Sequence, residues 1–446
     1  MKFTVLSQLS DCSPETKFFL LRFCMSNAYT LPDILQVDDI AKTLIMNRSL
    51  TGKALQELTQ TGYLSVSPIA QTGKGRPKNL YDVTAKMSAM LETGDSKSTL
   101  HQDLIDDLIA PDKSSDSGER RHPLKTPTRL LLATLLALSD EKGVARDART
   151  SELCANTGMG PDRIRNHVAK LCKLGYIRRV IPGVSSSKLF GTVGSAYILN
   201  LRHDSYREFA YSGSLWLISL VDEQNRQLPF EAYRLIKLAR SAGNDSLQSL
   251  GRTQRGLEDL RVNLDPRTFH SIAPRLVETQ PYRLAQRLQF ELEIAASAIL
   301  SLMGNDLSSD SIAIDDQIQE EYLGTTVTPK KLFEEQSASR SSLLSVLYHL
   351  AWHMAKDRYG IIGISENPKR NYFLHHPSGT PNPMTGLPGS RHFAVESLEK
   401  ANKRSNVVQI VFNPFEPNSA LRKELREDSL ENTARRRFGL GEKPGP

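Results

Sequence analysis

Asp39-Ile40-Ala41-Lys42-Thr43-Leu44-Ile45-Met46-Asn47-Arg48-Ser49-Leu50-Thr51-Gly52-Lys53-Ala54-Leu55-Gln56-Glu57-Leu58-Thr59-Gln60-Thr61-Gly62-Tyr63-Leu64 has a counterpart 113 residues later, ending in Gly175-Tyr176-Ile177. Asp39-Ile40-Ala41 aligns with Glu152-Leu153-Cys154, Leu55 with Val168 and Leu58 with Leu171. The same register, without a gap, reaches back to Ser13-Pro14 and Thr126-Pro127. Serine or threonine before proline starts a helix: the hydroxyl caps, and the missing proline N–H falls where no intrahelical partner exists. Repetition of one supersecondary unit predicts two similar modules.

Within the first copy, Val37, Ile40, Ala41 and Leu44 share one helical face. Asn47 or Ser49 caps the next helix, which buries Leu50, Ala54, Leu55 and Leu58. Arg48, Ser49, Gly52, Lys53 and Gln56 then face outward, toward a partner. Gly62 ends the helix, and Leu64-Ser65-Val66-Ser67 alternates as a strand. A tip of Gln71 to Lys78 and a return strand from Leu80 to Thr84 complete a hairpin. Lys74, Arg76 and Lys78 place three cations in five residues of that tip, beside a glycine and a proline that let the backbone approach a surface.

This pattern resembles the winged helix of multiple-antibiotic-resistance-type and related bacterial transcriptional regulators, over roughly residues 10–90 and 120–202. The resemblance implies a DNA-binding fold, with Gly73-Lys74-Gly75-Arg76-Pro77-Lys78 as the wing. Its Gly-Arg-Pro core is also similar to the segment with which AT-hook peptides place arginine in a narrow minor groove.

The second copy opens with a nearly continuous apolar helix from Pro127 to about Asp140, too short to span a bilayer. Its recognition face falls on Pro161, Asp162, Arg165, Asn166 and Ala169, flanked by Arg163 and Lys170. Its wing lies between strands Tyr176 to Ile181 and Ala196 to Leu199, with Lys188 at a less charged tip.

A chain of 446 residues holds two to four domains. Its 57 basic and 50 acidic residues leave a net charge of +7, which favours a polyanionic partner modestly. Cys12, Cys24, Cys154 and Cys172 form no Cys-x-x-Cys pair and read as core thiols. Neither a signal peptide nor a membrane segment is evident, so a cytoplasmic, nucleoid-associated protein is expected.

The expected fold is mainly α with small β wings: two winged-helix modules and a largely helical C-terminal region. The first module takes residues 1–92 and the second 126–202. A flexible, Ser/Asp/Lys-rich linker, 93–125, containing a short helix from Leu100 to Ile109, leaves their separation adjustable. Residues 203–432 form the C-terminal region, for oligomerisation or partner docking. Helices are expected at Phe230 to Ala242, Tyr282 to Leu302 and Ser341 to Arg358, a loop at 304–330, and one clear strand at Val407 to Phe412. Residues 433–446 read as a frayed basic tail.

Nothing in the sequence assembles a catalytic set, and no cofactor or metal is expected. His349 and His353 have zinc-protease spacing, but Leu350 stands where the general-base glutamate belongs. His375-His376 sits in a Pro/Gly-rich loop. Gly191-Thr192-Val193-Gly194 and Gly251-Arg252-Thr253-Gln254-Arg255-Gly256 lack the lysine and strand-to-helix context of a phosphate loop. The reading is a sequence-specific, double-stranded DNA-binding transcriptional regulator of bacterial or mobile-element origin. Arg48, Ser49, Lys53 and Gln56 serve one head, and Arg163, Arg165, Asn166 and Lys170 the other. Two alternatives stay open: a plasmid-type replication initiator, which also carries two winged helices in one chain, and a scaffold using the modules for protein packing.

Overall fold

The computed structural model describes residues 4–9, 11–26, 36–69, 78–92, 100–111, 124–203, 205–206, 213–221, 230–242, 246–277, 281–303, 307, 315–329, 337–362, 372–375, 390–397, 406–412, 421–426, 429–438 and 440. They fall into two compact units, Met1–Tyr176 with His203–Phe209, and Ile177–Arg202 with Ala210–Pro446.

The first unit runs α1 (Thr4–Ser7), α2 (Pro14–Met25), α3 (Val37–Thr43), α4 (Arg48–Gln60), β1 (Leu64–Ile69), β2 (Lys78–Val83), α5 (Ala85–Glu92), α6 (Gln102–Ile109), α7 (Thr126–Ala137), β3 (Val144–Ala148), α8 (Thr150–Thr157) and α9 (Pro161–Lys173). Helices α4 and α9 begin and end 113 residues apart, and each is followed by a left-handed glycine, Gly62 or Gly175. Ser13 caps α2 by accepting from the Thr16 N–H at 3.3 Å. The second copy differs: α7 starts at Thr126 itself, with Lys125 in the cap and no side-chain cap bond. Strands β1 and β2 pair antiparallel from Leu64 opposite Val83 to Ile69 opposite Lys78.

The two helix-turn-helix segments are packed together, which corrects the expectation of an adjustable separation. Helix α6, inside the supposed linker, buries Leu104, Ile105, Leu108 and Ile109. Its last carbonyls have no intrahelical donor, and two arginines supply one. From α2, Arg22 donates through Nε to Ile109 O at 2.6 Å and through Nη2 to Ala110 O at 2.8 Å. From α7, Arg129 donates through Nε to Leu108 O at 2.6 Å and through Nη2 to the same Ala110 O at 2.7 Å. Both guanidinium groups lie within cation–π distance of the Phe18 ring, at 5.1 and 5.3 Å. Composition suggested a flexible linker because its Ser/Asp/Lys stretch outweighs one short amphipathic helix.

The second unit comprises β4 (Ile177–Ile181), β5 (Val184–Ser186), β6 (Gly191–Val193), β7 (Ser195–Leu199), β8 (Leu215–Val221), α10 (Glu231–Ser241), α11 (Leu247–Asp259), α12 (Pro266–Leu276), α13 (Pro281–Met303), α14 (Asp316–Ile318), α15 (Ser337–Ile362), β9 (Tyr372–His375), β10 (Ser390–Ser397), β11 (Asn406–Phe412), β12 (Leu421–Arg426) and α16 (Asn432–Arg437). A π-helical turn, Gln319–Gly324, continues α14, where a loop was expected.

The expectation of a largely helical C-terminal region is overturned by a five-stranded mixed sheet in the order β12-β11-β8-β10-β9. Central β8 is parallel to β11 and antiparallel to β10. Trp216, Ile218 and Leu220 join the core built with α10, α12, α13 and α15, while Leu215 and Leu217 meet Leu430, Phe438 and Leu440 on the other face. A strand buried on both faces loses its period-two signal, so Leu215-Trp216-Leu217-Ile218 reads like any apolar run. Within the expected tail, the described residues 433–438 and 440 are ordered against the sheet. The basic run there forms α16, where Arg435 is buried and donates to Leu440 O at 3.2 Å, while Phe438 and Leu440 anchor it to the sheet.

Candidate nucleic-acid interface

Helix α4 is oriented by burial of Thr51, Ala54, Leu55 and Leu58, with Leu50 half-buried, and by Asn47 accepting from the Ser49 N–H at 2.8 Å. Arg48, Ser49, Lys53 and Gln56 are all exposed as a result. Arg48 reaches back to Asp38 of α3 at 2.7 Å, but with side chains 75% and 51% exposed this ion pair is weak and exchangeable. The first turn of α4 itself carries no acidic residue.

In α9, Ile164 and Leu171 point inward, and Asp162, Arg163, Arg165, Asn166 and Ala169 are exposed. Lys170 is half-buried. Arg165 pairs with Asp162 at 2.7 Å, and Arg163 with Glu15 of α2 at 3.0 Å. The second face is therefore less available than the first: two of its cations have carboxylates in contact. His167, which the sequence reading passed over, ties α9 to α7 through Nδ1 and the Thr128 hydroxyl at 2.9 Å. Burial first, then Arg163 and Lys170, hold its pKa below the usual histidine value, favouring the neutral ring. Arg149, in the cap of α8, and Lys42, at the end of α3, add exposed cations beside these helices. Their only sequence signal is a basic residue next to a helix terminus.

Lys74 and Arg76 lie outside the described residues. Lys78 opens β2 opposite Ile69. In the second unit, β4 and β7 pair antiparallel, and the β5–β6 hairpin sits between them in sequence. Lys188 is exposed, but its ammonium is engaged by backbone carbonyls. Its ammonium donates to Pro274 O at 2.9 Å and Val277 O at 3.2 Å, while Arg275 Nη1 donates to Lys188 O at 3.1 Å. It caps the end of α12, where a cation suits the helix dipole. The strand's arginines are also held within this unit: Arg178 pairs with Glu396 and donates to Asn200 at 2.7 Å, and Arg179 meets Glu293 at 3.1 Å.

His349 and His353, the pair at zinc-protease spacing, each hydrogen-bond a backbone carbonyl. His349 Nδ1 lies 2.6 Å from Ser345 O, and His353 Nε2 lies 2.9 Å from Arg261 O. Gly251 and Gly256 are inside helix α11, not in a loop. His376 lies outside the described residues. Among the described residues no group of three or more His, Cys, Asp or Glu is placed to hold a metal ion, and no helix is long and apolar enough to cross a membrane. No protein-family model, no curated protein and no solved structure matches the chain.

Proposed function

We propose that this protein is a sequence-specific double-stranded DNA-binding regulator whose α4 and α9 act as recognition helices of two winged-helix modules. One observation carries the reading. Two helices with identical spacing of their ends lie in one compact unit and turn Arg48, Ser49, Lys53 and Gln56, and Arg165 and Asn166, to solvent. Arginine, asparagine and glutamine are the side chains that pair bidentately with guanine or adenine edges in the major groove. Arg76 would enter the adjoining minor groove.

Pinning of α2 and α7 through α6 makes the two readers one body with a fixed separation, which suits an asymmetric bipartite site. The same coupling suits a replication initiator bound at an origin, so position of the bound sites in the host genome separates the two roles. The direct test is selection of bound sequences from randomised duplexes by the full chain, by Arg48→Ala and by Arg165→Ala. Each variant should relax preference at a different part of the selected site, by about 1–3 kcal/mol at one position. An identical selected site in all three removes these helices as readers and leaves the modules as protein-packing elements.

A further inference from the structure

Helices α10 and α11 of the second unit form an antiparallel pair. Arg234 of α10 donates to Asp259 O at the end of α11 at 2.7 Å, and Gly256 of α11 is packed so closely on Leu238 that a Cβ there would collide with it. These two contacts set the helices side by side with Arg240 level with about Gln254. Burial orients each helix. In α10, Ala232, Leu235, Ile236 and Ala239 are inside, and Lys237, Arg240 and Ser241 are exposed. In α11, Ser249, Thr253 and Leu257 are inside, with Thr253 hydrogen-bonded to His270 at 2.9 Å, and Gln248, Gly251, Arg252 and Arg255 are exposed.

Lys237, Arg240, Arg252 and Arg255 thus present four cations. None of them is in an ion pair among the described residues. Among the described residues the carboxylates of this face, Glu258 and Asp259, lie in the last turn of α11, and Glu258 accepts from Gln254 at 2.8 Å. A Cβ at Gly251 would meet nothing within 4 Å, so the helix surface is open there, and Arg255 Nε donates to Gly251 O at 3.3 Å. The glycine and arginine run that fails as a nucleotide loop is, on a helix, a basic face.

We propose that this face is a second DNA-contact surface, on which Lys237, Arg240, Arg252 and Arg255 bind the phosphates of double-stranded DNA. The choice of DNA as occupant rests on the reading of α4 and α9. Phosphate contacts of this kind add affinity and salt dependence without sequence information.

The test measures duplex affinity against salt for the full chain, for Arg252→Gln/Arg255→Gln and for Lys237→Gln/Arg240→Gln. These side chains are exposed, so folding is preserved. Each double variant should reduce the slope of log K against log salt by roughly 2 and keep the selected sequence. An unchanged slope in both variants, with the parent binding its site, overturns this surface and leaves the recognition helices standing. Salt-dependent binding by a parent with no sequence preference, lost in the variants, keeps this surface and overturns the readers. Loss of sequence preference in the variants overturns the phosphate assignment, and absence of any DNA binding by the parent overturns both, in favour of an acidic protein as occupant.

Discussion

Ile45 and Gly158, 113 residues apart, occupy the same turn of the two helix-turn-helix segments and both adopt left-handed backbone, with φ of 50° and 69°. Only the second copy uses the residue suited to that geometry. A β-branched residue there is strained by about 1–2 kcal/mol. Ile45 is 54% exposed, so its side chain recovers little through burial.

Ile45→Gly should therefore stabilise the first unit by about 0.5–1 kcal/mol, after the greater entropy of glycine in the unfolded chain is subtracted. Gly158→Ala should do the opposite and more strongly, because a Cβ there would also collide with the Cys12 carbonyl oxygen. Calorimetric unfolding of both variants checks the pair; a loss of stability in Ile45→Gly would show that Ile45 is not strained.

The shared acceptor Ala110 O couples α2 to α7. Arg22→Met and Arg129→Met each leave one buried carbonyl of α6, Ile109 O or Leu108 O, without its arginine donor, at a cost of about 1–3 kcal/mol. Their effects should be non-additive, since the two guanidinium groups share one oxygen and one aromatic ring. Hydrogen exchange of α6 amides should rise in both variants, and unchanged protection would refute the coupling.

In the second unit, Arg178 and Glu396 form an ion pair with both side chains almost wholly buried. Glu396→Ala strands the guanidinium and should destabilise the unit by about 3–5 kcal/mol, whereas Arg178→Met/Glu396→Leu should cost far less. The only two tryptophans, Trp216 and Trp352, are in this unit, so denaturant titration by fluorescence reports on it directly. Equal losses in the two variants would contradict the account.

The thiols make an alkaline prediction. Burial pushes Cys24 up to about 12 and Cys172 up to about 11 from 9.0. The folded chain keeps protons that the unfolded chain releases, so their contribution is complete below pH 9 and falls as pH rises toward 11 to 12. Lys17 acts in the opposite sense. Burial lowers it from 10.5 to about 8, so its contribution grows between those values. Cys24→Ala/Cys172→Ala should flatten the decline in thermal midpoint above pH 9; a decline of the same slope would place it elsewhere.

The first unit was legible because its signals are local. Asn47, Gly62 and the apolar spacing of Ala54, Leu55 and Leu58 each announce a cap, a stop or a buried face within a few residues. The sheet of the second unit was not, since Leu215 to Val221 is buried on both faces and pairs with strands some 170 to 200 residues distant, a relation no window reveals. Lys188 illustrates the limit for the interface. A cation at a hairpin tip looks the same in sequence whether it meets a phosphate or, as here, the carbonyls of Pro274 and Val277.

The central claim is that α4 and α9, held in one body through α6, read two parts of one duplex site. Its most direct test is the affinity of the full chain for its selected site with 2, 5 or 10 base pairs inserted between the two parts. Fixed separation predicts that every insertion weakens binding toward that of a single half-site, with no recovery at 10. Affinity unchanged by any insertion, or no preference for the selected site over random duplex, would contradict it.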